Sequence, residues 1–215
     1  VGLLRDSDTQ IEGVTDDKLV IAPAFTARPA PGTEITILAN YSDQNSDTAH
    51  QFLPVTGTLL ESASGEKIDP YSYHGAPGFN AYDTESLALT LIAEQQINSI
   101  FSVEGVARYL DTQADYRQAW ISFRGNGVPR IDAEGNGGWT FYLADNRSEQ
   151  MAFDVRTRAD FTTGPIEHEL LAGVQYQDVF TDSDTAYLAD LGTLNAFDPQ
   201  YAGVPSVAEV ESMKA

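Results

Sequence analysis

The sequence predicts an all-β fold, an antiparallel up-and-down transmembrane β-barrel segment with about seven strands. Three observations predict it. Apolar and polar residues alternate along most of the chain, the alternating stretches are long, and short links between them alternate with long polar ones. A strand that crosses a membrane needs about 9–11 residues, whereas a typical globular strand has about 5–6. The length of the stretches therefore favours a membrane barrel.

Seven alternating stretches are the predicted strands. Because successive side chains of a strand point to opposite faces, each stretch has one apolar and one polar face. The stretch around residue 155 is typical, since Phe153 and Val155 fall on one side and Asp154 and Arg156 on the other. The predicted strands lie near residues 1–11, 17–28, 33–45, 84–97, 100–124, 147–162 and 166–182.

The links between these strands differ strongly in length. The short ones are tight turns in which Pro, Gly or Asn supplies the local geometry, at residues 28–32, 97–99 and 162–165. The long ones are polar and cover residues 46–83, 125–146 and everything after about 183, with a modest loop at 12–16 on the same side. Long structureless loops are uncommon in a compact domain. Membrane barrels carry short turns at one rim and long loops at the other, so the links favour a barrel.

Charge and composition exclude several classes of function. The formal net charge of -20 argues against nucleic acid, which needs Lys and Arg clusters, and against a basic patch for anionic lipid headgroups. The chain has no cysteine, so disulfides and thiolate metal sites are excluded. It opens without Met, inside a predicted strand, and its end does not look like a finished strand. We therefore expect a segment of a longer protein.

The residues that could support catalysis or metal binding do not form a recognisable site. The acidic pair Asp182 and Asp184 lies in a polar loop, not in the apolar pocket that raises a carboxyl pKa for glycoside hydrolysis. His50, His74 and His168 are far apart and form no HxH or HExxH pattern. We predict that the protein is not an enzyme and that it has no metal site and no cofactor.

Aromatic residues are frequent in the predicted long links and at the end of one long strand. Two interpretations remain open for them: packing between loops or at a membrane interface, and a ligand platform at the mouth of the barrel. The residues concerned are Phe52, Tyr71, Tyr73, Phe79, Trp120, Trp139, Phe141 and Tyr142.

An ordered series of segments resembles one known family. The segments are "IAPAFTARP", "TEITILANY", "FLPVTGTL", "GAPGFNAYDTESLALTLIAEQQIN", "GPIEHELLAGVQYQ" and "LNAFDPQYAGVP", which together cover nearly all of the chain. They resemble the TonB-dependent siderophore receptors, particularly those for ferrichrome-type hydroxamates. No single segment is specific, but the ordered series is.

The resemblance implies a bacterial outer-membrane barrel of the 22-stranded, plugged class, surrounded by outer-membrane lipid. In that family a ferric siderophore binds above the plug, and energy arrives through a periplasmic contact with TonB. Iron is thus cargo, held in the siderophore, and no resident cofactor is implied. All 215 residues would belong to the barrel, in its early third, whereas the Ton box, the plug domain and the C-terminal strands would lie outside this chain.

The same resemblance implies three siderophore-binding residues. Phe52 occupies an aromatic contact position, His50 stands where the family often has Tyr, and Trp120 ends another aromatic-bearing segment. The ligand that the resemblance implies is a ferric siderophore of the hydroxamate type, and because His50 departs from the pattern, ferrichrome itself is not specifically implied.

Two further hypotheses come from other classes of protein. The first is a soluble extracellular β-sandwich that binds polysaccharide or protein through its aromatic loops. The second is a passive, porin-like pore, which requires that the complete protein has no plug.

Overall fold

The computed structural model describes residues 1–48, 50–123 and 130–213. Antiparallel strands form a sheet with the order β1-β2-β4-β5-β6-β7-β8, while β3 also pairs with β4 and β9 pairs with β7. The elements are β1 (Gly2–Arg5), β2 (Asp16–Ile21), β3 (Ala24–Ala30), β4 (Thr33–Ser46), β5 (Ala81–Gln96), β6 (Phe101–Ile121), β7 (Asn136–Thr163), β8 (Ile166–Leu188), β9 (Thr193–Asn195) and α1 (Val207–Ser212).

The strands β2 and β3 together form the predicted strand at 17–28. Both pair with β4, and they are separated only by Ala22 and Pro23. The sheet therefore has seven strand positions side by side, which confirms the seven predicted strands. The first predicted strand, at 1–11, is too long. The observed strand β1 ends at Arg5, and the chain then turns, with Gly13 at a positive φ of 71°.

The short turns lie at one end of the sheet and the long links at the other, as predicted. Gly32 and Gly164 have positive φ angles of 76° and 61°, which suits glycine in these tight turns. The long links, at residues 47–80 and 122–135 and after 188, leave the opposite end. Within the described residues, no helix is long and apolar enough to cross a membrane.

The strand register aligns apolar residues into a continuous exposed face. One row of cross-strand neighbours consists of Phe25, Ile37, Leu91, Ala107, Phe153 and Tyr176. Most of these side chains are exposed, and in the described part of the chain no second sheet covers them. A soluble β-sandwich would bury this face, so the β-sandwich hypothesis is not supported.

The strand β7 begins eleven residues earlier than predicted, at Asn136 and not at 147, and β8 continues to Leu188. Residues 136–146, half of the predicted loop at 125–146, are thus strand, while its residues 125–129 lie outside the described residues, as does the predicted strand end at 124. The glycines at 137 and 138 gave this part the composition of a loop. Its alternation of Trp139, Phe141 and Leu143 is nevertheless that of a strand, and all three side chains are buried.

The long links pack against the outer ends of β6 and β7 and form a small apolar core. This core lies on the same sheet face as the exposed apolar rows, at the opposite end from the short turns. It contains Ile68, Ala76, Phe79, Ala119, Ile121, Ile131, Trp139, Phe141, Leu143, Ala186, Leu194, Ala196 and Val210. The described parts of the links are therefore folded segments, which is consistent with their length.

Candidate ligand-binding site

The structure brings together the three residues predicted to bind a ligand. The rings of His50 and Phe52 are stacked with centroids 6.2 Å apart. The ring of Phe52 meets Trp120 edge-on, at 5.7 Å and 70°. His50 and Phe52 come from the link between β4 and β5, and Trp120 comes from the end of β6. Their proximity is a property of the fold, while their role in binding stays a prediction.

Two aromatic residues that the sequence analysis missed complete this cluster. Phe123 lies 6.0 Å from Phe52, and Tyr187 lies 6.1 Å from Trp120. We refer to His50, Phe52, Trp120, Phe123 and Tyr187 as the aromatic platform. Phe52, Phe123 and Tyr187 are 47%, 59% and 58% exposed, so the platform offers ring surface to a ligand. The sequence carries a signal for Tyr187, because Thr185 and Tyr187 continue the alternate positions of one strand face beyond the predicted strand end at 182.

The aromatic platform lies on the polar face of the sheet, not on the exposed apolar face. In the register of β6, β7 and β8, Gln118 pairs with Tyr142, and Tyr142 pairs with Tyr187. Trp120 is two residues beyond Gln118 and therefore shares its face. Further along the same strands this face carries Glu104 and Arg156. A ligand on the platform would consequently lie on the polar face, at the end of the sheet where the long links leave.

Three tyrosines continue this aromatic surface from the platform along the polar face. The rings of Tyr82 and Tyr116 are 5.7 Å apart, and those of Tyr116 and Tyr142 are also 5.7 Å apart, both edge-to-face. These residues are cross-strand neighbours on β5, β6 and β7. Their rings give this part of the polar face apolar surface, and their hydroxyl groups give it hydrogen-bonding groups.

The link that carries His50 and Phe52 is fastened to β6 by hydrogen bonds. The Thr48 hydroxyl donates to the Arg117 carbonyl at 3.0 Å, and the Gln118 amide donates to the His50 carbonyl. The Ala119 amide donates to the side chain of Asn80 at 2.8 Å, further along the same link. Phe52 itself has a positive φ of 44°, which is rare for a bulky residue and persists only where surrounding contacts hold it.

The three histidines occupy three separate environments. His50 belongs to the platform, and His168 stacks on Phe161 at 4.8 Å near the short turns. His74 is completely buried, with its ring nitrogens 2.9 Å from the carbonyl oxygens of Ser72 and Ala196. Burial lowers the pKa of His74, and the two carbonyl contacts partly offset this effect. Among the described residues, no group of three or more His, Asp or Glu side chains is arranged to hold a metal ion.

Most of the other aromatic residues in the predicted loops have a packing role. Phe79 and Trp139 each contact Phe141 edge-to-face, at 5.0 Å and 5.7 Å, inside the apolar core of the links. Tyr73 is also buried, and burial raises the pKa of its hydroxyl. For these residues the interpretation as a ligand platform is wrong, because their rings are covered. Tyr71 is exposed but stands outside the platform.

The polar face near the short turns is charged and largely paired within the sheet. Arg158 lies 3.0 Å from Asp160 and 3.1 Å from Glu169, and Arg156 lies 2.8 Å from Asp154. These charged side chains of β7 and β8 at this end of the sheet are thus paired with one another. Arg156, Arg158 and Glu169 line part of a depression of about 970 Å³.

Comparison with known proteins identifies similar receptors. No protein-family model matches the chain. It is 26% identical over 212 residues to the ferrioxamine B receptor of Salmonella typhimurium, covering 95% of this chain and 28% of the relative. It is 24% identical over 215 residues to the ferrichrome outer membrane transporter/phage receptor of Escherichia coli K12, covering 92% of this chain and 28% of the relative. The chain therefore spans less than a third of the length of these relatives.

Solved structures with a similar fold are also receptors. The siderophore receptor PiuA of Acinetobacter baumannii has a TM-score of 0.73 and 16% identity, with 96% of this chain and 31% of that chain covered. The ferric-catecholate import receptor Fiu of Escherichia coli K12, in its closed form, has a TM-score of 0.69 and 17% identity, with 92% and 29% covered. The predicted fold, an antiparallel segment of such a barrel, is confirmed.

Proposed function

This chain resembles a barrel segment of the TonB-dependent siderophore receptors in sequence and in fold, and we propose that the protein containing it imports a ferric siderophore. The chain supplies part of the barrel and of its extracellular loops. The protein is placed in the bacterial outer membrane, because the curated relatives include an outer-membrane transporter. Binding and transport are proposed, not catalysis, since those relatives are named receptors and transporters.

The observation that carries this proposal is the aromatic platform at the long-link end of the polar face. A siderophore wraps iron in organic ligand, so it presents oxygen-rich and apolar surface, not bare metal. Exposed ring edges from Phe52 and Phe123, with the hydroxyl of Tyr187 and the imidazole of His50, suit such a surface. Direct iron ligands are not required.

A hydroxamate is the siderophore class that we propose. The sequence relatives are named for ferrioxamine and ferrichrome, whereas the catecholate receptor is similar in fold at only 17% identity. His50 gives the platform an imidazole donor where the family often has Tyr. This difference supports a hydroxamate other than ferrichrome itself.

The two faces of the sheet then have different surroundings. The apolar row that includes Phe153 and Tyr176 contacts outer-membrane lipid, because exposed apolar side chains are stable there. The charged opposite face, with Arg156 and Arg158, lines a lumen that holds a plug. The plug and the contact with TonB lie in parts of the protein outside this chain.

The test uses the full-length protein that contains this chain, expressed in a strain lacking its own siderophore receptors. We expect saturable, TonB-dependent uptake of ⁵⁵Fe-labelled ferrioxamine B. The variants Phe52→Ala and Trp120→Ala should weaken binding, and Tyr71→Ala, which removes an exposed ring outside the platform, is the matched control. Unchanged affinity in both platform variants contradicts the assigned site. Non-saturable uptake that persists without TonB indicates a passive pore and contradicts import by a receptor.

A further inference from the structure

Gln118 is a buried polar residue of β6, and its side chain contacts the link that carries the platform residues His50 and Phe52. Its side chain is 1% exposed. The amide nitrogen donates to the His50 carbonyl, and the amide oxygen accepts from the Tyr116 hydroxyl. The three groups form a chain of hydrogen bonds that runs from a strand side chain, through a buried amide, to the backbone of the link.

The orientation of this amide follows from the chemistry of its partners. A backbone carbonyl only accepts, so the NH₂ group of Gln118 must face His50. The amide oxygen must then face Tyr116, whose hydroxyl donates to it. Because the Gln118 amide is buried, a residue that cannot donate at this position removes the bond that fastens the His50 carbonyl to β6.

The position of Gln118 connects this bond to the platform. Trp120 is two residues further along the same face of β6, and Phe52 is two residues beyond His50 in the link. One short stretch of β6 therefore supplies a platform ring and also the anchor for the loop that supplies the other rings. The strained φ of Phe52, 44°, requires surrounding contacts to hold the loop, and the bond to His50 is such a contact.

We propose that Gln118 is a positioning residue for siderophore binding: by holding the His50 carbonyl, it presets Phe52 against Trp120 before the ligand arrives. The inference rests on the proposed function. At 1% exposure Gln118 has almost no surface to offer a ligand, so it acts through the loop. A platform that is already ordered loses less conformational entropy when the ligand binds, so its affinity for the ligand is higher.

The test measures KM and Vmax for uptake of ⁵⁵Fe-ferrioxamine B, or of ⁵⁵Fe-ferrichrome if wild type prefers it, by the full-length receptor. Gln118→Glu keeps the acceptor for Tyr116 but places a carboxylate oxygen against the His50 carbonyl, and Gln118→Leu removes both bonds. In both variants we expect KM to rise about tenfold, the factor that a lost buried hydrogen bond of about 1.4 kcal/mol produces. Vmax per assembled receptor should stay unchanged.

Two further variants separate positioning from a general structural role. Tyr116→Phe keeps the amide donor to His50, so its rise in KM should be smaller than that of Gln118→Leu. Gln150→Glu makes the same change of charge on the same sheet face, on the neighbouring strand β7. The side chain of Gln150 has no hydrogen bond within the described residues, so the KM of this variant should equal that of wild type.

The outcomes are distinct. Unchanged KM in both Gln118 variants, or a fall in Vmax per receptor at unchanged KM, overturns the positioning role and leaves the proposed function standing. Absence of saturable uptake by the wild-type receptor with both probes contradicts the proposed function itself. A raised KM at constant Vmax in the Gln118 variants, with Gln150→Glu unaffected, supports the inference.

Discussion

The ring of Phe52 stands edge-on against Trp120 at 5.7 Å, although the two residues are 68 positions apart in the chain. Phe52 adopts this position with a left-handed backbone, and Trp120 comes from a regular strand. The pair thus joins a residue of a long link to a residue of a regular strand. Its geometry decides whether the aromatic platform exists as a continuous surface.

The first prediction separates the ring of Phe52 from its backbone. Phe52→Ala removes the ring and keeps a side chain at φ 44°, while Phe52→Gly removes the ring and also the strain. We expect both variants to lose siderophore affinity equally, by about tenfold, the range for one buried aromatic contact. The glycine variant should resist protease cleavage of the loop better than the alanine variant. Equal protease resistance would contradict backbone strain at this residue.

The second prediction concerns the two faces of the sheet. Val155→Asp places a charge on the exposed apolar face and should block assembly in the outer membrane, because a charge facing lipid is costly. Val103→Asp should act in the same way, since Val103 shares this face. Ser102→Asp, on the polar face opposite Arg158, should assemble normally. Heat-modifiable mobility of the folded receptor in gels measures assembly, and equal tolerance of charge on both faces would contradict the barrel.

The third prediction is a pH dependence of the folded links. Burial lowers the pKa of His74 below its unfolded value of about 6.5, with the Ser72 and Ala196 carbonyls and the Asp69 charge opposing the shift. The unfolded link therefore binds a proton more readily than the folded one. Stability is fully present above about pH 6.5 and falls as the pH drops towards the lower folded value. Protease cleavage of the links should accelerate from pH 7 to pH 5.

The control for this pH dependence is His74→Gln, which has no titrating ring. It should cleave faster than wild type at pH 7, because it loses one of the contacts to Ser72 and Ala196. Its cleavage rate should then show little further change down to pH 5. The same acceleration in His74→Gln as in wild type would assign the pH dependence to another group.

The fourth prediction tests the packing role of the covered aromatic residues. Phe141→Ala should destabilise the folded links by about 3–5 kcal/mol, the usual cost of a large cavity in a core. Phe141 is completely buried and contacts both Phe79 and Trp139, so its neighbours cannot easily fill the space. Limited proteolysis of the intact receptor measures this loss. Tyr71→Ala, at an exposed ring, should leave the protease resistance unchanged.

Much of the sheet could be predicted from the sequence because alternation and turn residues are local signals. The start of β7 could not, since Asn136, Gly137 and Gly138 have loop composition and only pairing with β9 makes them strand. The predicted residues His50, Phe52 and Trp120 came from a family resemblance, not from alternation. No pattern along the chain indicates that they lie together.

The missed parts of the site depend on contacts between distant segments. Phe123 joins the platform through Phe52 in the link, and Tyr187 joins it through Trp120, which lies two strands away. Gln118 has its partner in the backbone carbonyl of a residue 68 positions away. A single amide in a strand gives no sequence signal that distinguishes this bond from a side chain in solvent.

In the proposed receptor, the length of β7 sets how far from the membrane a ligand first contacts the protein. Its 28 residues span roughly 90 Å at about 3.3 Å per residue, or roughly 65 Å in height at a tilt of about 45°. The apolar band of an outer-membrane barrel is only about 25 Å tall. In the proposed receptor, the aromatic platform therefore lies well above the lipid headgroups, where a ligand can bind before it reaches the membrane surface.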